Sequence, residues 1–147
     1  MSQKLFIVES PTKARKIESS GYLDSSWKVV ASSGHIRDMP SKGMNVEAPD
    51  FVPVYEIISS SAKTVGWIRK LAASAESVWL ATDDDREGEA IAWHLKQVIG
   101  QHQYHSVTFR EVTKAAIQSA IQSPGQVNYP YVLAQQARRV IDRLAGY

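Results

Sequence analysis

Two short, largely apolar runs, each followed by acidic residues, constrain the fold of this chain more than any other feature. Residues 5–8 (LFIV) end at Glu9, and residues 77–81 (SVWLA) lead through Thr82 into Asp83. A run without polar alternation is typical of a strand that is buried on both faces, as in a parallel sheet. Ligands of open α/β sheets bind at the carboxyl ends of the strands. The two runs therefore predict a parallel sheet with Glu9 and Asp83 at its ligand-binding edge.

Helical patterns alternate with the strand-like segments along the rest of the sequence. We expect strands at 5–8, 27–31, 54–58, 77–82 and 106–110, and helices from Pro11, at 62–75, at 86–99, from Thr113 to 122 and at 130–144. A long loop is expected at 36–53, which contains three prolines and little periodicity. Strands that alternate with helices predict an α/β domain with a mainly parallel sheet flanked by helices.

The last predicted helix follows a break in the pattern. The sequence Ser123-Pro124-Gly125 interrupts the chain before this helix. Because the helix follows the break and lies at the end of the chain, we expect it to belong to a second domain that is cut short. The predicted division is 1–125 for the α/β domain and 126–147 for the start of the next domain.

Composition limits the class of protein. The 147 residues are 44% hydrophobic and 22% charged, which is typical of one globular domain with a full core. The absence of cysteine excludes disulfides and thiolate metal sites, and it fits a reducing cytoplasm. No segment approaches the ~18 apolar residues of a membrane helix. The net charge of +2 means that any basic surface for nucleic acid must be local.

The acidic block at 82–89 (TDDDREGE) is the strongest candidate for a site. Side chains alternate along an extended chain, so Asp83, Asp85 and, if the chain stays extended, Glu87 project to one side. Their mutual repulsion requires a proton or a divalent cation, and oxygen-only ligands favour Mg²⁺. If the first strand is a neighbour of this one, Glu9 becomes a fourth acid of the same site.

Less specific interpretations of these acids stay open. Acidic residues in the first turn of a helix are favoured by the helix dipole, and we favour this interpretation for Glu89. Asp84 is expected to point away from Asp83 and Asp85. A carboxyl group with a raised pKa that gives its proton to a leaving oxygen is an alternative to a metal ion.

Other candidates lie on the first helix and at another strand end. Lys13 is one turn beyond Glu9, where it could pair with a carboxylate or hold a phosphate, although a solvated lysine is the commoner case. His35 follows a strand, but a lone histidine is more often structural than catalytic. The remaining histidines show no metal-ligand spacing and are interpreted as structural: His94, His102 and His105.

The last helix carries a cluster of charges. Arg138 and Asp142 are one turn apart and can form an ion pair. This face is either a solvated charged surface or a phosphate-binding surface on which Asp142 orients Arg138.

Several motifs together resemble the N-terminal part of the type IA topoisomerases, the family of bacterial DNA topoisomerase I. They are VESPTKA at 8–14, SGHIRD at 33–38, TDDDREGEAIAWH at 82–94, FREVT at 109–113 and QQARRVIDRLAGY at 135–147. The motifs occur in order along the whole chain, which makes them far more specific than the acidic block alone.

The resemblance implies a Toprim fold, which is Rossmann-like, and a set of site residues. In the family, the acids that match Glu9, Asp83, Asp85 and Glu87 form the Mg²⁺-binding half of the active site. Lys13 is similar to the lysine that contacts the scissile phosphate, and His35 is similar to a histidine that contacts DNA. Arg138 and Asp142 resemble residues that engage the DNA backbone near the cleavage site, and Arg139 is counted with them. The resemblance also places Arg138 among the catalytic residues, with Glu9, Lys13, Asp83, Asp85 and Glu87.

The resemblance also implies an activity and its partners. The family relaxes negatively supercoiled DNA without ATP, by transient single-strand cleavage, strand passage and religation. We therefore expect single-stranded or underwound DNA and the remaining topoisomerase domains as partners, Mg²⁺ as cofactor, no membrane, a monomer and a cytoplasmic location.

The chain lacks one feature of the family's active site, and its residues also fit three other functions. The nucleophilic tyrosine of the family lies in a Met-Arg-Thr-like context that does not occur in this chain, so the chain alone is not expected to relax DNA. The chain also stops inside a family motif, which suggests truncation. The alternatives are a free-standing Toprim nuclease or primase-like protein, a non-catalytic DNA-binding module, and a phosphate-binding α/β domain of signalling type.

Overall fold

A four-stranded parallel sheet, in the order Trp27–Ala31, Lys4–Val8, Ser77–Leu80 and Tyr104–Ser106, organises the computed structural model of the chain. The structure describes residues 3–38, 46–47, 52–53, 55–100, 102–109 and 111–145. The strands of this sheet are β1 (Lys4–Val8), β2 (Trp27–Ala31), β7 (Ser77–Leu80) and β8 (Tyr104–Ser106). Because β1 and β7 are adjacent, the residues that follow them lie at one edge. The predicted α/β fold class is confirmed.

Five helices and four short strands complete the described part of the chain. The helices are α1 (Pro11–Ser20), α2 (Ala62–Ala73), α3 (Arg86–Ile99), α4 (Lys114–Gln122) and α5 (Tyr129–Ala145), and a 3₁₀ turn at Ser59–Ser61 precedes α2. The short strands are β3 (Arg37–Asp38), β4 (Val46–Glu47), β5 (Val52–Pro53) and β6 (Glu56–Ile57).

Both faces of the main sheet are buried, which explains the uninterrupted apolar runs. Successive side chains of a strand point to opposite faces. One face packs with α2 and α3 and contains Leu5, Ile7, Val65, Ile68, Leu80, Ile91 and Leu95. The other face packs with α1 and α4 and contains Phe6, Val8, Ala14, Ile17, Trp79 and Ile117.

Side-chain caps fix the starts of three helices where the sequence predicts them. The Ser10 hydroxyl accepts hydrogen bonds from the backbone N–H groups of Thr12 and Lys13 at the start of α1. Thr113 accepts from the N–H of Ala116 at 3.2 Å, and Asp85 accepts from the N–H of Gly88 at 2.7 Å. Each cap satisfies an N–H that has no partner within its own helix.

The predicted strand at 106–110 is placed too far toward the C-terminus, because the structure has a strand at Tyr104–Ser106. The strand is β8, which ends at Ser106 opposite Leu80, the last residue of β7. The N–H of Val107 still donates to the carbonyl of Leu80 at 3.0 Å, where β7 ends, and the backbone of Ser106 exchanges hydrogen bonds with Gly125. Val107 is buried although it is outside the strand, so its apolar character reflects the core. Arg110 lies outside the described residues.

The predicted loop at 36–53 contains short strands. Strand β3 pairs antiparallel with β6, and β4 pairs antiparallel with β5. Strands of two residues have too short a pattern to show periodicity in the sequence. The predicted strand at 54–58 corresponds to β6, and residues 39–45, 48–51 and 54 lie outside the described part.

Helix α5 packs on α3 with one side and leaves its other side exposed. Val132 and Gln135 are buried, whereas Leu133, Ile141 and Leu144 are exposed. No helix among the described residues is long and apolar enough to cross a membrane.

Truncation of Phe6 tests the importance of the sheet core. Phe6 is fully buried and lies edge-on to Trp27 and stacked with Phe109. We expect Phe6→Ala to lower the free energy of unfolding by about 3–5 kcal/mol, because it removes buried area and leaves a cavity. Urea denaturation measures the change. Leu133→Ala, at an exposed position, is the control and is expected to change it by less than ~0.5 kcal/mol. A loss below ~1 kcal/mol for Phe6→Ala would contradict this account.

Candidate active site at the carboxyl edge of the sheet

Glu9 and Asp83 lie side by side at the carboxyl edge of the main sheet. Glu9 directly follows β1, and two residues separate Asp83 from the end of β7. The backbone N–H of Asp83 donates a hydrogen bond to the Glu9 carboxylate. Parallel pairing of the two strands therefore joins acids that are 74 residues apart in sequence.

Lys13 completes this group from the first turn of α1. Its Nζ lies 2.5 Å from Oδ1 of Asp83, and both side chains are partly exposed. Of the roles that the sequence left open, the structure shows the carboxylate pairing. A cavity of about 400 Å³ opens here, lined by Lys13, Asp83, Asp84, Asp85 and Phe109. Asp84 is exposed and borders both this cavity and another cavity that Glu89 and Asn128 line.

The surroundings of Glu9 raise the pKa of its carboxyl group. Burial is the largest cause, and the negative charges of Asp83 and Asp85 act in the same direction. The hydrogen bond from the Asp83 backbone and the positive charge of Lys13 oppose the shift. Glu9 is therefore the acid in this group that holds a proton more readily than an ordinary glutamate.

Asp85 and Glu87 have roles that the sequence did not predict. Helix α3 begins at Arg86, because the Asp85 carboxylate caps it, so the chain is not extended from Asp83 to Glu87. Glu87 is directed to His35 instead, with 3.0 Å between its Oε2 and the histidine Nε2. The alternation that placed Asp83, Asp85 and Glu87 on one side is thus wrong for Glu87.

The four acids therefore do not form one cluster in this arrangement. Each carboxylate has a partner of its own: the N–H of Asp83 for Glu9, Lys13 for Asp83, the N–H of Gly88 for Asp85 and His35 for Glu87. Within the described residues, no three histidine, aspartate or glutamate side chains are grouped as a metal-ligand set. The predicted convergence of all four acids is not found.

Gly88 allows the acidic segment to lie directly against α3. A Cβ built on Gly88 would lie 1.9 Å from the backbone oxygen of Asp83 and 2.7 Å from its carbonyl carbon. Any side chain at this position would displace the Asp83 backbone. The glycine in the acidic block is therefore required by the close approach of two backbone segments.

A second group of charged residues lies next to the first and reaches α5. Nη2 of Arg139 is 2.7 Å from both carboxylate oxygens of Asp38. A cavity of about 180 Å³ separates this pair from the His35–Glu87 pair, and it is lined by His35, Asp38, Tyr55, Glu87, His94, Gln135 and Arg139. Arg139, which the resemblance assigned to DNA, is thus held by a carboxylate.

Arg37 and His94 form a buried contact that sequence reasoning missed. The Nε of Arg37 donates to Nδ1 of His94 at 2.9 Å, and the guanidinium lies 5.2 Å from the ring centres of both Tyr55 and Trp93. Burial first, and then the charge of Arg37, lower the pKa of His94 to about 3. His94 is therefore neutral and accepts the hydrogen bond. This supports its structural interpretation and fixes β3, which carries Asp38.

Glu89 lies in the first turn of α3 as predicted, but it is not a solvated charge. Its side chain is buried, and its Oε2 accepts a hydrogen bond from the backbone N–H of Asn128 at 2.8 Å. Burial raises the pKa of Glu89. The helix-dipole interpretation is therefore incomplete, because Glu89 also connects α3 to the segment that leads into α5. No sequence pattern indicated this partner.

Arg138 and Asp142 form the predicted ion pair on the outer side of α5. The distance from Nε of Arg138 to Oδ1 of Asp142 is 3.7 Å, and both side chains are more than half exposed. The arginine is therefore oriented by its neighbour but stays accessible.

With this fold and this site, the chain belongs to the Toprim domain family. The family matches residues 4–117, which include Glu9, Lys13 and the acidic block.

Its relatives are DNA topoisomerases. The chain is 47% identical over 144 residues to "DNA topoisomerase I, plasmid" of Xylella fastidiosa (strain 9a5c), covering 98% of this chain and 22% of the relative. It is 44% identical over 151 residues to DNA topoisomerase 1 of Campylobacter jejuni, covering 100% of this chain and 21% of the relative. Full-length topoisomerase I from Thermotoga maritima superposes with a TM-score of 0.85 at 38% identity, over 95% of this chain and 24% of that chain. The chain thus spans about a fifth of the length of the curated relatives.

The pKa of Glu9 tests the electrostatics of this site. We expect its carboxyl group to titrate above the ordinary glutamate value, and Lys13→Gln to raise the pKa further, because the lysine charge favours the carboxylate form. Carboxyl-carbon NMR over a pH titration measures both values. Arg15→Gln is the matched control on the exposed side of α1 and should leave the pKa unchanged. A lower pKa in the Lys13→Gln variant would refute the assignment.

Proposed function

We propose that this chain supplies the acidic part of the active site of a type IA DNA topoisomerase. The complete enzyme would relax negatively supercoiled DNA without ATP, through transient cleavage of one strand, strand passage and religation. The observation that carries the proposal is the contact of Glu9, Lys13 and Asp83 at the carboxyl ends of two adjacent parallel strands. The names of the relatives support the choice of a DNA phosphodiester as the substrate.

Glu9 is proposed as the general acid. In strand cleavage, a tyrosine from the rest of the enzyme gives its hydroxyl proton to water, its oxygen attacks the phosphorus, and the bond to the 3′-oxygen breaks. The raised pKa of Glu9 suits the donation of its proton to that oxygen, and religation returns the proton to Glu9. We therefore propose that burial of Glu9 next to Asp83 serves catalysis, because it raises the pKa of the proton donor.

Lys13 is proposed to contact the scissile phosphate. Its ammonium group already lies on Asp83, which holds it in the cavity beside Glu9. A positive charge there stabilises the negative charge that develops on the phosphate oxygens. Asp83 thus positions the lysine.

The same carboxylates fit Mg²⁺ by their chemistry. Glu9, Asp83 and Asp85 offer only oxygen donors, which a hard cation prefers. The charges of Asp83 and Asp85 both raise the pKa of Glu9, so each of them repels the Glu9 carboxylate, and a cation would relieve this repulsion. We propose Asp83 and Asp85, together with Glu9 when its carboxyl group is deprotonated, as the residues that would hold Mg²⁺, with Glu87 as the fourth acid once it leaves His35. A bound Mg²⁺ would supply positive charge for the reacting phosphate.

The DNA backbone is proposed to lie across α5 and the His35 segment. Arg138 is exposed and oriented by Asp142, which suits a phosphate contact. His35 and Arg139 are paired with Glu87 and Asp38, so a DNA phosphate would replace carboxylate partners there. The DNA would be single-stranded or underwound, because the enzyme must reach one strand.

Residues 126–147 are proposed to begin the next domain of the longer enzyme. The family matches residues 4–117, and α5 follows that region with Leu133, Ile141 and Leu144 exposed. An exposed apolar face of this kind suits packing against the remaining topoisomerase domains. A monomeric enzyme in the cytoplasm completes the proposal.

A chimaera tests the proposed function directly. We expect a protein in which this chain replaces the matching segment of the Xylella enzyme to relax supercoiled plasmid DNA. Glu9→Gln in the chimaera should lower the rate by about 100-fold or more, because it removes the proton donor. Glu18→Gln, at an exposed position on α1, is the control. Gel electrophoresis of the topoisomers measures the rate. A folded chimaera without activity, or an unchanged rate for Glu9→Gln, would count against the proposal.

The role of Arg138 is tested by DNA affinity. Arg138→Gln in this chain is expected to weaken binding of a single-stranded oligonucleotide and to reduce the salt dependence, in log–log form, by about 0.7, because one phosphate contact is lost. Fluorescence anisotropy over a series of salt concentrations measures the slope. Arg15→Gln serves as the matched control on a different helix. An unchanged slope for Arg138→Gln would exclude a phosphate contact.

A further inference from the structure

Helix α2 presents a basic stripe with an exposed tryptophan at its centre. Lys63, Gly66, Trp67 and Lys70 follow the spacing i, i+3, i+4, i+7, which places them on one face of the helix. All four are exposed, and they are called the α2 stripe below. The opposite face packs on the sheet through Val65, Ile68 and Ala72. None of these residues belongs to the site described above.

Trp67 differs from the other three tryptophans of the chain. Its side chain is 47% exposed, and it makes no aromatic or cation–π contact with any residue that the structure describes. Each of the others has a ring contact: Trp27 with Phe6, Trp79 with His105 and Trp93 with Tyr55. Burial of so large a ring is strongly favourable, so an open ring face on a helix suits a binding partner.

Gly66 opens the surface beside the ring. A glycine within a helix lowers its stability relative to alanine. A Cβ at Gly66 would meet nothing within 4 Å, and the backbone there is not left-handed. Neither packing nor conformation among the described residues requires this glycine. Its effect is to let a flat group approach the helix backbone next to Trp67.

The charges of the α2 stripe all have one sign. Lys63 and Lys70 lie about one turn on either side of Trp67, and neither forms an ion pair within the described part of the chain. Helix α2 contains no acidic residue. Its third base, Arg69, donates to the carbonyl of Val98 on α3 at 2.9 Å and is already occupied. The stripe is thus a local basic surface on a chain that is nearly neutral as a whole.

We propose that the α2 stripe binds single-stranded DNA. An unpaired base stacks on Trp67, and the phosphates on either side of it contact Lys63 and Lys70. A duplex does not fit this surface equally well, because stacking and pairing cover the faces of its bases. The choice of DNA as the ligand rests on the proposed function. The α2 stripe adds a second DNA-contact surface to the one proposed on α5.

The position of the α2 stripe connects it with the candidate active site. The hydroxyl of Ser61, just before α2, donates to the backbone carbonyl of His35 at 3.3 Å. Lys63 therefore lies at the end of α2 that is next to the proposed DNA contacts, and Lys70 is about 10 Å further along the helix axis. The stripe can hold the strand that leaves the site near His35.

Fluorescence anisotropy with a labelled oligothymidylate and this chain tests the proposal. We expect Trp67→Ala to weaken binding by about fivefold or more and Trp67→Phe to retain most of it, because stacking needs an aromatic ring. Lys63→Gln and Lys70→Gln should each reduce the log–log salt slope by about 0.7. Lys16→Gln, at an exposed position on α1 outside the stripe, is the matched control. Circular dichroism verifies that each variant is folded.

Three results would overturn the proposal. The first is wild-type affinity in the Trp67→Ala variant. The second is a duplex that binds as tightly as the oligothymidylate and loses the same affinity in that variant. The third is a polyglutamate peptide that depends on Trp67 while the oligothymidylate does not, which indicates an acidic protein partner instead. Arg138→Gln separates the two ideas: if it weakens binding and Trp67→Ala does not, the stripe proposal fails alone, whereas the reverse removes only the proposed contact on α5.

Discussion

The parallel pairing of β1 with β7 is the constraint on which the rest of the structure depends. It brings Glu9 next to the backbone of Asp83, although helices α1 and α2, strand β2 and the segment with the short strands separate them in sequence. A carboxylate that is half-buried by this pairing has a raised pKa, and Lys13 reaches the same point from the helix that follows β1. Glu9, Lys13 and Asp83 meet only because the hydrogen bonds of the sheet join β1 to β7. No single segment of the chain contains all three side chains.

The start of α3 divides the acidic block between two neighbouring groups. Because Asp85 caps the helix, Asp83 stays at the sheet edge with Glu9, while Glu87 turns toward His35 and the segment that contacts α5. Because Gly88 has no Cβ, the start of α3 can lie directly against the Asp83 backbone. One short stretch of sequence therefore serves both the proposed cleavage chemistry and the proposed DNA contacts. Because α3 packs so closely on the Asp83 backbone, Asp83 and Glu87 have little freedom to exchange positions.

The sequence was sufficient for the fold wherever a local signal agreed with the packing. The apolar runs 5–8 and 77–81 and the caps Ser10 and Thr113 have such signals, and each has its predicted place. The end of β8 could not be predicted, because it depends on where the neighbouring strand stops. The contacts of Glu87 with His35, Glu89 with Asn128 and Arg37 with His94 were also inaccessible, since long-range pairs leave no periodic pattern.

Besides its packing on α3, helix α5 is attached to the rest of the described structure through two side-chain contacts. Glu89 of α3 holds the backbone just before α5, and Asp38 of β3 holds Arg139 in its middle. The first of these contacts involves the buried carboxylate of Glu89. Separating it from the N–H of Asn128 would leave a buried acceptor without a hydrogen bond. A mechanical load applied to α5 is therefore transmitted to the first turn of α3, where Asp85 and Glu87 lie. Tension on this helix and the geometry of the acidic residues are physically linked.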